Sequence, residues 1–165
     1  MGVLIRLCLT ALLVVGCSTS VEMTNCEGSF YFDSNVTFDE EKSAYEAARR
    51  WNEWVGRPVV RIESSGRCRI FEDPIKDATA IAYRWPDTGE IQIDQKKIVL
   101  RCPDESCREA LFMHEFGHSF GMGHIPDGER GIMSAHRIPD VDVDFTPADR
   151  LECERHGPCV YADEL

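Results

Sequence analysis

The sequence predicts an α+β fold from two observations. A helix signal near residue 40 and another near residue 110 flank the middle of the chain. Between them lie four short runs of strand character, grouped together instead of alternating with helices. The length suits a single domain with one core once the N-terminal leader described below is set aside.

Thr37-Phe38-Asp39-Glu40 reads as a capping box, with Thr37 capping and Glu40 reciprocating. The helix it opens runs to about Val55. Its apolar stripe is Ala44, Ala47, Ala48, Trp51 and Val55, and Gly56 ends it. The runs 58–63 (PVVRIE), 67–71 (RCRIF), 78–85 (ATAIAYRW) and 90–94 (EIQID) read as strands. Pro86-Asp87-Thr88-Gly89 supplies the turn between the last two. The run 107–120 (CREALFMHEFGHSF) reads as the second helix, apolar through Ala110, Leu111, Met113, Phe116 and Phe120.

That helix carries HEFGHSFGMGH, an H-E-x-x-H-x-x-G-x-x-H pattern in which each fixed position has a physical task. His114 and His118, four apart, stack on one helix face and can aim two imidazoles at one zinc ion. Gly121 can take positive φ, end the helix and return the chain so that His124 becomes the third ligand. Three neutral histidines leave a fourth position open, the mark of a catalytic zinc. Glu115 sits about 100° round the helix from His114, where it can act as acid and base on a zinc-activated water.

The pattern is similar to that of the metzincin metallopeptidases, which continue into a methionine-containing turn. Gly131-Ile132-Met133-Ser134 resembles that turn, with Met133 as an apolar floor under the histidines and Gly121 as the second supporting residue. The family closes with a helix. Thr146 as cap, Pro147 at the first helical position and Asp149 in the first turn match that well. The resemblance implies a metzincin-like zincin fold. A twisted mixed sheet carries an active-site helix, and a small C-terminal lobe ends in a helix. The upper lobe would span about 30–124 and the lower about 125–165. It further implies a zinc endopeptidase using one catalytic Zn2+ held by His114, His118 and His124, with Glu115 as acid/base. Thr79–Trp85 would be an antiparallel edge strand on which an extended peptide substrate adds as a further strand. The stretch 134–144 would wall the pocket after the scissile bond. The compact size and F-T-P-A-D run look closest to matrixin-like members. No histidine precedes His114, so a second, structural zinc is not expected.

The N-terminus reads as an export signal. Arg6 precedes an apolar stretch, 7–15, ending in Gly16-Cys17. This resembles a bacterial lipobox, which implies cleavage after residue 16 and a membrane anchor through lipid on Cys17. The expected organisation is a signal peptide at 1–16, a lipidated tether at 17–29 and a catalytic domain at 30–165. The expected place is the cell envelope, at the outer membrane, or otherwise secretion. The chain carries 18 Lys and Arg against 29 Asp and Glu, and loss of the leader removes Arg6 and no acid. So acidic a surface excludes nucleic acid as a partner. A monomer is expected.

Cys8 leaves with the leader and Cys17 carries the lipid. Cys26, Cys68, Cys102, Cys107, Cys153 and Cys159 then form an even set, which in an exported chain reads as three disulfides. Fifteen pairings are open; the preferred one joins Cys26–Cys68, Cys102–Cys107 and Cys153–Cys159. An alternative role for Cys26 is to block the zinc as a latency switch. Asp140, Asp142 and Asp144 admit a Ca2+ site, although EF-hand spacing is missing and a solvated loop is the preferred reading. The competing functional classes are a non-catalytic, zinc-stabilised surface lipoprotein that binds a partner, and an exopeptidase.

Overall fold

The structure, a computed structural model, describes residues 26–77, 79–135 and 144–161. The signal segment, Cys17 and most of the tether lie outside these residues, as do His136, Asp140 and Asp142. Among the described residues no helix is long and apolar enough to cross a membrane.

The chain forms β1 (Ser29–Phe32), α1 (Phe38–Val55), β2 (Arg61–Ile62), β3 (Cys68–Glu72), β4 (Ala82–Arg84) and β5 (Ile91–Ile93). Then follow α2 (Gln95–Arg101), α3 (Glu105–Ser119), α4 (Pro147–His156) and a 3-10 turn (Pro158–Tyr161). The sheet order is β2-β1-β3-β5-β4, parallel throughout except that β4 runs antiparallel to β5 at one edge. The fold is therefore α+β around a mixed sheet.

Register defines the core face. Phe30 lies opposite Cys68, Phe32 opposite Ile70 and Ile70 opposite Ile91. Ile91 in turn lies opposite Arg84, and Ile93 opposite Ala82. Residues directly opposite each other point to the same side of a sheet. Both long helices cover that side: Phe30 meets Phe116 of α3 at 5.0 Å between ring centroids, and Phe32 meets Tyr45 of α1 at 5.6 Å. Trp51, fully buried on α1, donates its indole N–H to the Met113 carbonyl on α3 at 2.9 Å and so locks the two helices together.

The capping box on α1 forms as the sequence predicts, and Gly56 ends the helix at φ +79°. The strands are shorter than expected, for identifiable reasons. Val59 and Val60 give main-chain groups to one side chain. Asn52 accepts from the Val59 and Val60 N–H groups and donates to the Val60 carbonyl, so only Arg61–Ile62 join the ladder. Ahead of β4, Lys97 Nζ takes the carbonyls of Ile75, Asp77 and Ala80, and Arg101 takes that of Thr79. These groups are spent on side chains and Ala82–Arg84 alone pair. Helix α2 is a further difference. It is capped by Asp94 and buries only Ile98, leaving Val99 and Leu100 exposed, so its sequence shows no amphipathic stripe.

The three disulfides are Cys26–Cys68, Cys102–Cys107 and Cys153–Cys159, the preferred set. Cys26 is fully buried and bonded, so it has no thiol with which to block a metal; the latency role is corrected. The globular fold accordingly reaches back to Cys26, ahead of the expected start at Phe30.

Candidate metal centre

Helix α3 starts earlier than the sequence reading placed it. Asp104 caps it by accepting the Cys107 N–H at 2.8 Å, and the Cys102–Cys107 bridge fastens the same end. The helix stops at Ser119, and Gly121 takes φ +89°. The chain then turns back, with the Met122 N–H bonded to the Gly117 carbonyl at 3.1 Å. This reversal brings His124 beside the two helical histidines.

Nε2 of His118 lies 3.0 Å from Nε2 of His114 and 3.2 Å from Nε2 of His124. The other nitrogens of His114 and His118 are tied outward. Nδ1 of His114 donates to the Ile132 carbonyl at 2.7 Å, and Nδ1 of His118 to the Met122 carbonyl at 2.9 Å. A carbonyl only accepts, so Nδ1 carries the proton and each Nε2 presents a lone pair. Lone pairs converging on one point repel unless a cation lies between them, and orienting carbonyls on the far nitrogens are the usual support of metal-bound histidines. The donor set fits an ion that accepts imidazole nitrogen, such as zinc. Burial keeps the His114 and His118 rings neutral and ready to coordinate. It pushes His114 down to about 3, helped by the neighbouring His118 and His124, and lowers His118 as well.

Glu115 is buried between α3 and the sheet edge. Burial raises its carboxyl to about 8, against the pull of the Arg84 charge and the Arg84 main-chain N–H. A carboxyl poised near neutrality is suited to take and return a proton. Helix α3 and strand β4 pack together, so the antiparallel edge strand borders the histidine cluster.

Met133 is fully buried, and its sulfur packs against Gly117. A Cβ on Gly117 would collide with Met133 Sδ, so the methionine packs against α3 only because that helical position is glycine. The sequence reading passed over Gly117. The available signal was a glycine in mid-helix, which costs about 1 kcal/mol and so points to a close approach.

Asp149 was read as a helix-start residue and does more. It completes a capping box with Thr146 and is fully buried. Its carboxylate also accepts the main-chain N–H of Ile132 at 3.0 Å and of Met133 at 2.9 Å. The Ile132 carbonyl in turn holds His114, so α4 orients a ligand through one carboxylate and one peptide. Glu152, one turn on, accepts the Gly123 N–H at 2.8 Å and braces the segment carrying His124. Both are long-range contacts without a local pattern in the sequence.

Of the three aspartates considered for calcium, Asp144 is described, and it pairs with Arg50 at 2.7 Å on the surface. The expected substrate-pocket wall, 134–144, falls mostly outside the described residues. A shallow pocket lined by Ile125, Pro126, Asp127, Glu129, Arg130 and Ser134 follows directly after His124. No known protein family and no curated protein matches this sequence.

Proposed function

We propose that this chain is an exported zinc endopeptidase of metzincin type. The observation that carries the reading is the convergence of three histidine Nε2 atoms, two of them on rings anchored outward by main-chain carbonyls, with the buried carboxylate of Glu115 on the same helix as those two. His114, His118 and His124 would hold the zinc, which when bound would supply Lewis acidity toward the scissile carbonyl and toward water. Glu115 accepts the proton from the attacking water and returns it to the leaving amine. Met133 closes the floor of the site without meeting substrate. Strand β4, a free antiparallel edge beside α3, presents main-chain groups to which an extended peptide can pair, so that side chains two apart are read on one face. Such an edge accepts chains that continue in both directions and favours internal cleavage. Three disulfides support an oxidising compartment, consistent with export and with a lipid anchor on Cys17.

The test is cleavage of a mixed peptide library by the zinc-loaded protein, with Glu115→Ala beside it. Internal cuts that vanish with a chelator and in the variant are expected. Absence of cuts from protein carrying one zinc per chain would overturn the reading in favour of a zinc-stabilised binding protein.

A further inference from the structure

The sheet has two faces, and α1 and α3 cover one of them. Register puts a second set of side chains on the other. Tyr31 lies opposite Arg69, Phe71 opposite Gln92, and Gln92 opposite Tyr83. Trp85, two residues beyond Tyr83, joins this set and donates its indole N–H to Gln92 Oε1 at 3.0 Å. The aromatic members stay in contact with solvent. Tyr83 and Trp85 are each 43% exposed and meet edge-on at 5.5 Å, and Tyr31 and Phe71 are half-buried. Single exposed apolar residues are ordinary, but aromatic rings gathered on one face mark a surface that something else covers. Charge does not define this face. Its cation, Arg69, stacks on Phe71 at 4.1 Å and is paired with Asp33 and Glu90.

The route by which the chain enters the fold says what covers it. Both sulfurs of the Cys26–Cys68 bridge lie against the Thr88 carbonyl, at 3.6 and 3.3 Å. Thr88 belongs to the turn between β4 and β5, and Trp85 flanks that turn by pairing with Glu90. The root of the tether and the exposed tryptophan therefore share one end of the sheet. Eight residues, 18–25, separate Cys17 from Cys26. Fully extended, that length spans at most about 30 Å. A domain of this size is roughly 35 Å across. A lipid on Cys17 thus holds this end of the sheet close to the bilayer, at an effective concentration in about the millimolar range, where even a weakly binding face is occupied.

We propose that the outer sheet face, led by Tyr83 and Trp85, docks on the zwitterionic surface of the bilayer that carries Cys17. This rests on the lipid-anchor part of the reading above. Tyrosine and tryptophan combine an apolar ring with a polar tip and settle at the headgroup level of a bilayer. The acidic balance of the chain disfavours an anionic surface, so the contact is made by rings and not by charge. Docking leaves the candidate substrate edge free. The pairing groups of β4 lie in the plane of the sheet, at right angles to the docking side chains, so the edge is held at the membrane surface and stays open.

The test reads tryptophan emission and needs no cleavage. The full chain is purified, its mass is checked for acyl chains on Cys17, and it is placed in phosphatidylethanolamine–phosphatidylcholine vesicles. Half of the vesicles carry lipids brominated near the headgroup, which quench tryptophan only on contact. Trp51 is fully buried and Trp54 stacks on Phe145; both belong to α1, on the far side of the sheet. Emission should fall in the brominated vesicles, and Trp85→Phe should abolish the fall. Tyr83→Asp, which puts a charge on the same face, should shrink it. Thermal melts establish that both variants fold. An acylated chain whose emission is not quenched overturns the docking face and leaves the anchor reading intact. Quenching that persists in Trp85→Phe does the same, because α1 would then be the side that meets the bilayer. A chain without acyl groups on Cys17 removes the anchor and the docking together.

Discussion

The chain up to His124 and the chain after it hold the histidine cluster by different physics. The first part is a conventional core: Trp51, Phe30, Phe112 and Phe116 are fully buried, and two helices lie across one sheet face. Among the described residues the second part has no helix or strand before α4, and it is organised by polar anchors. One buried carboxylate, Asp149, holds the turn around Met133, one surface carboxylate holds Gly123, and one disulfide closes the end. A hydrophobic core distributes its stability over many contacts that each contribute little, whereas an anchor concentrates it in one group. The two parts should therefore respond unequally to single substitutions.

The largest expected effect is on chemistry. Glu115→Gln keeps the shape of the site and removes the proton acceptor, so kcat should fall by roughly 10²- to 10⁴-fold with zinc still bound. Cleavage kinetics with metal analysis check this, and retention of full activity would show that the helix carries the ligands but not the base. Next comes Asp149→Ala, which leaves two buried N–H donors unpaired and should cost about 4 kcal/mol. Because the effect runs through Ile132 to His114, zinc affinity should drop as well. A denaturation midpoint close to wild type would erase the contrast between the two parts.

Replacing Cys153 and Cys159 together by serine opens a short loop and should cost about 2 kcal/mol. Urea unfolding of the double variant should show it, with zinc affinity nearly unchanged; a large loss of metal would mean that the bridge, not Asp149, orders this part. Gly117→Ala drives a methyl group into the Met133 sulfur, an overpacking of about 1–3 kcal/mol felt at the join between the two parts. If that variant melts like wild type, Met133 has room to move and the floor of the site is soft. The smallest effect is expected from Thr37→Ala, which removes one cap from the well-packed part at about 1 kcal/mol, with cleavage rate and zinc affinity unaltered. A matching loss of activity would show that the sheet-and-helix part is less distributed than its packing implies.

Local order was legible because its causes are local. The i, i+4 spacing of His114 and His118 is a property of any helix, Thr37 and Glu40 meet within one turn, and Gly121 reverses the chain by its own φ. The pairs Cys102–Cys107 and Cys153–Cys159 are likewise near in sequence. The strand runs are longer than the strands that form, since composition does not show that Asn52 claims main-chain groups of Val59 and Val60, or that Lys97 claims the carbonyls of Ile75, Asp77 and Ala80.

The sequence by itself determined that three histidines, a carboxylate and a methionine stand in an order suited to a metal centre, because helix period and glycine turns act over a few residues. Tertiary structure alone decided which residues hold that centre in shape. The glycine that admits Met133 and the aspartate that ties the methionine turn to α4 both depend on contacts between distant segments. Such contacts are set by packing and strand register, which leave no periodic trace along the chain.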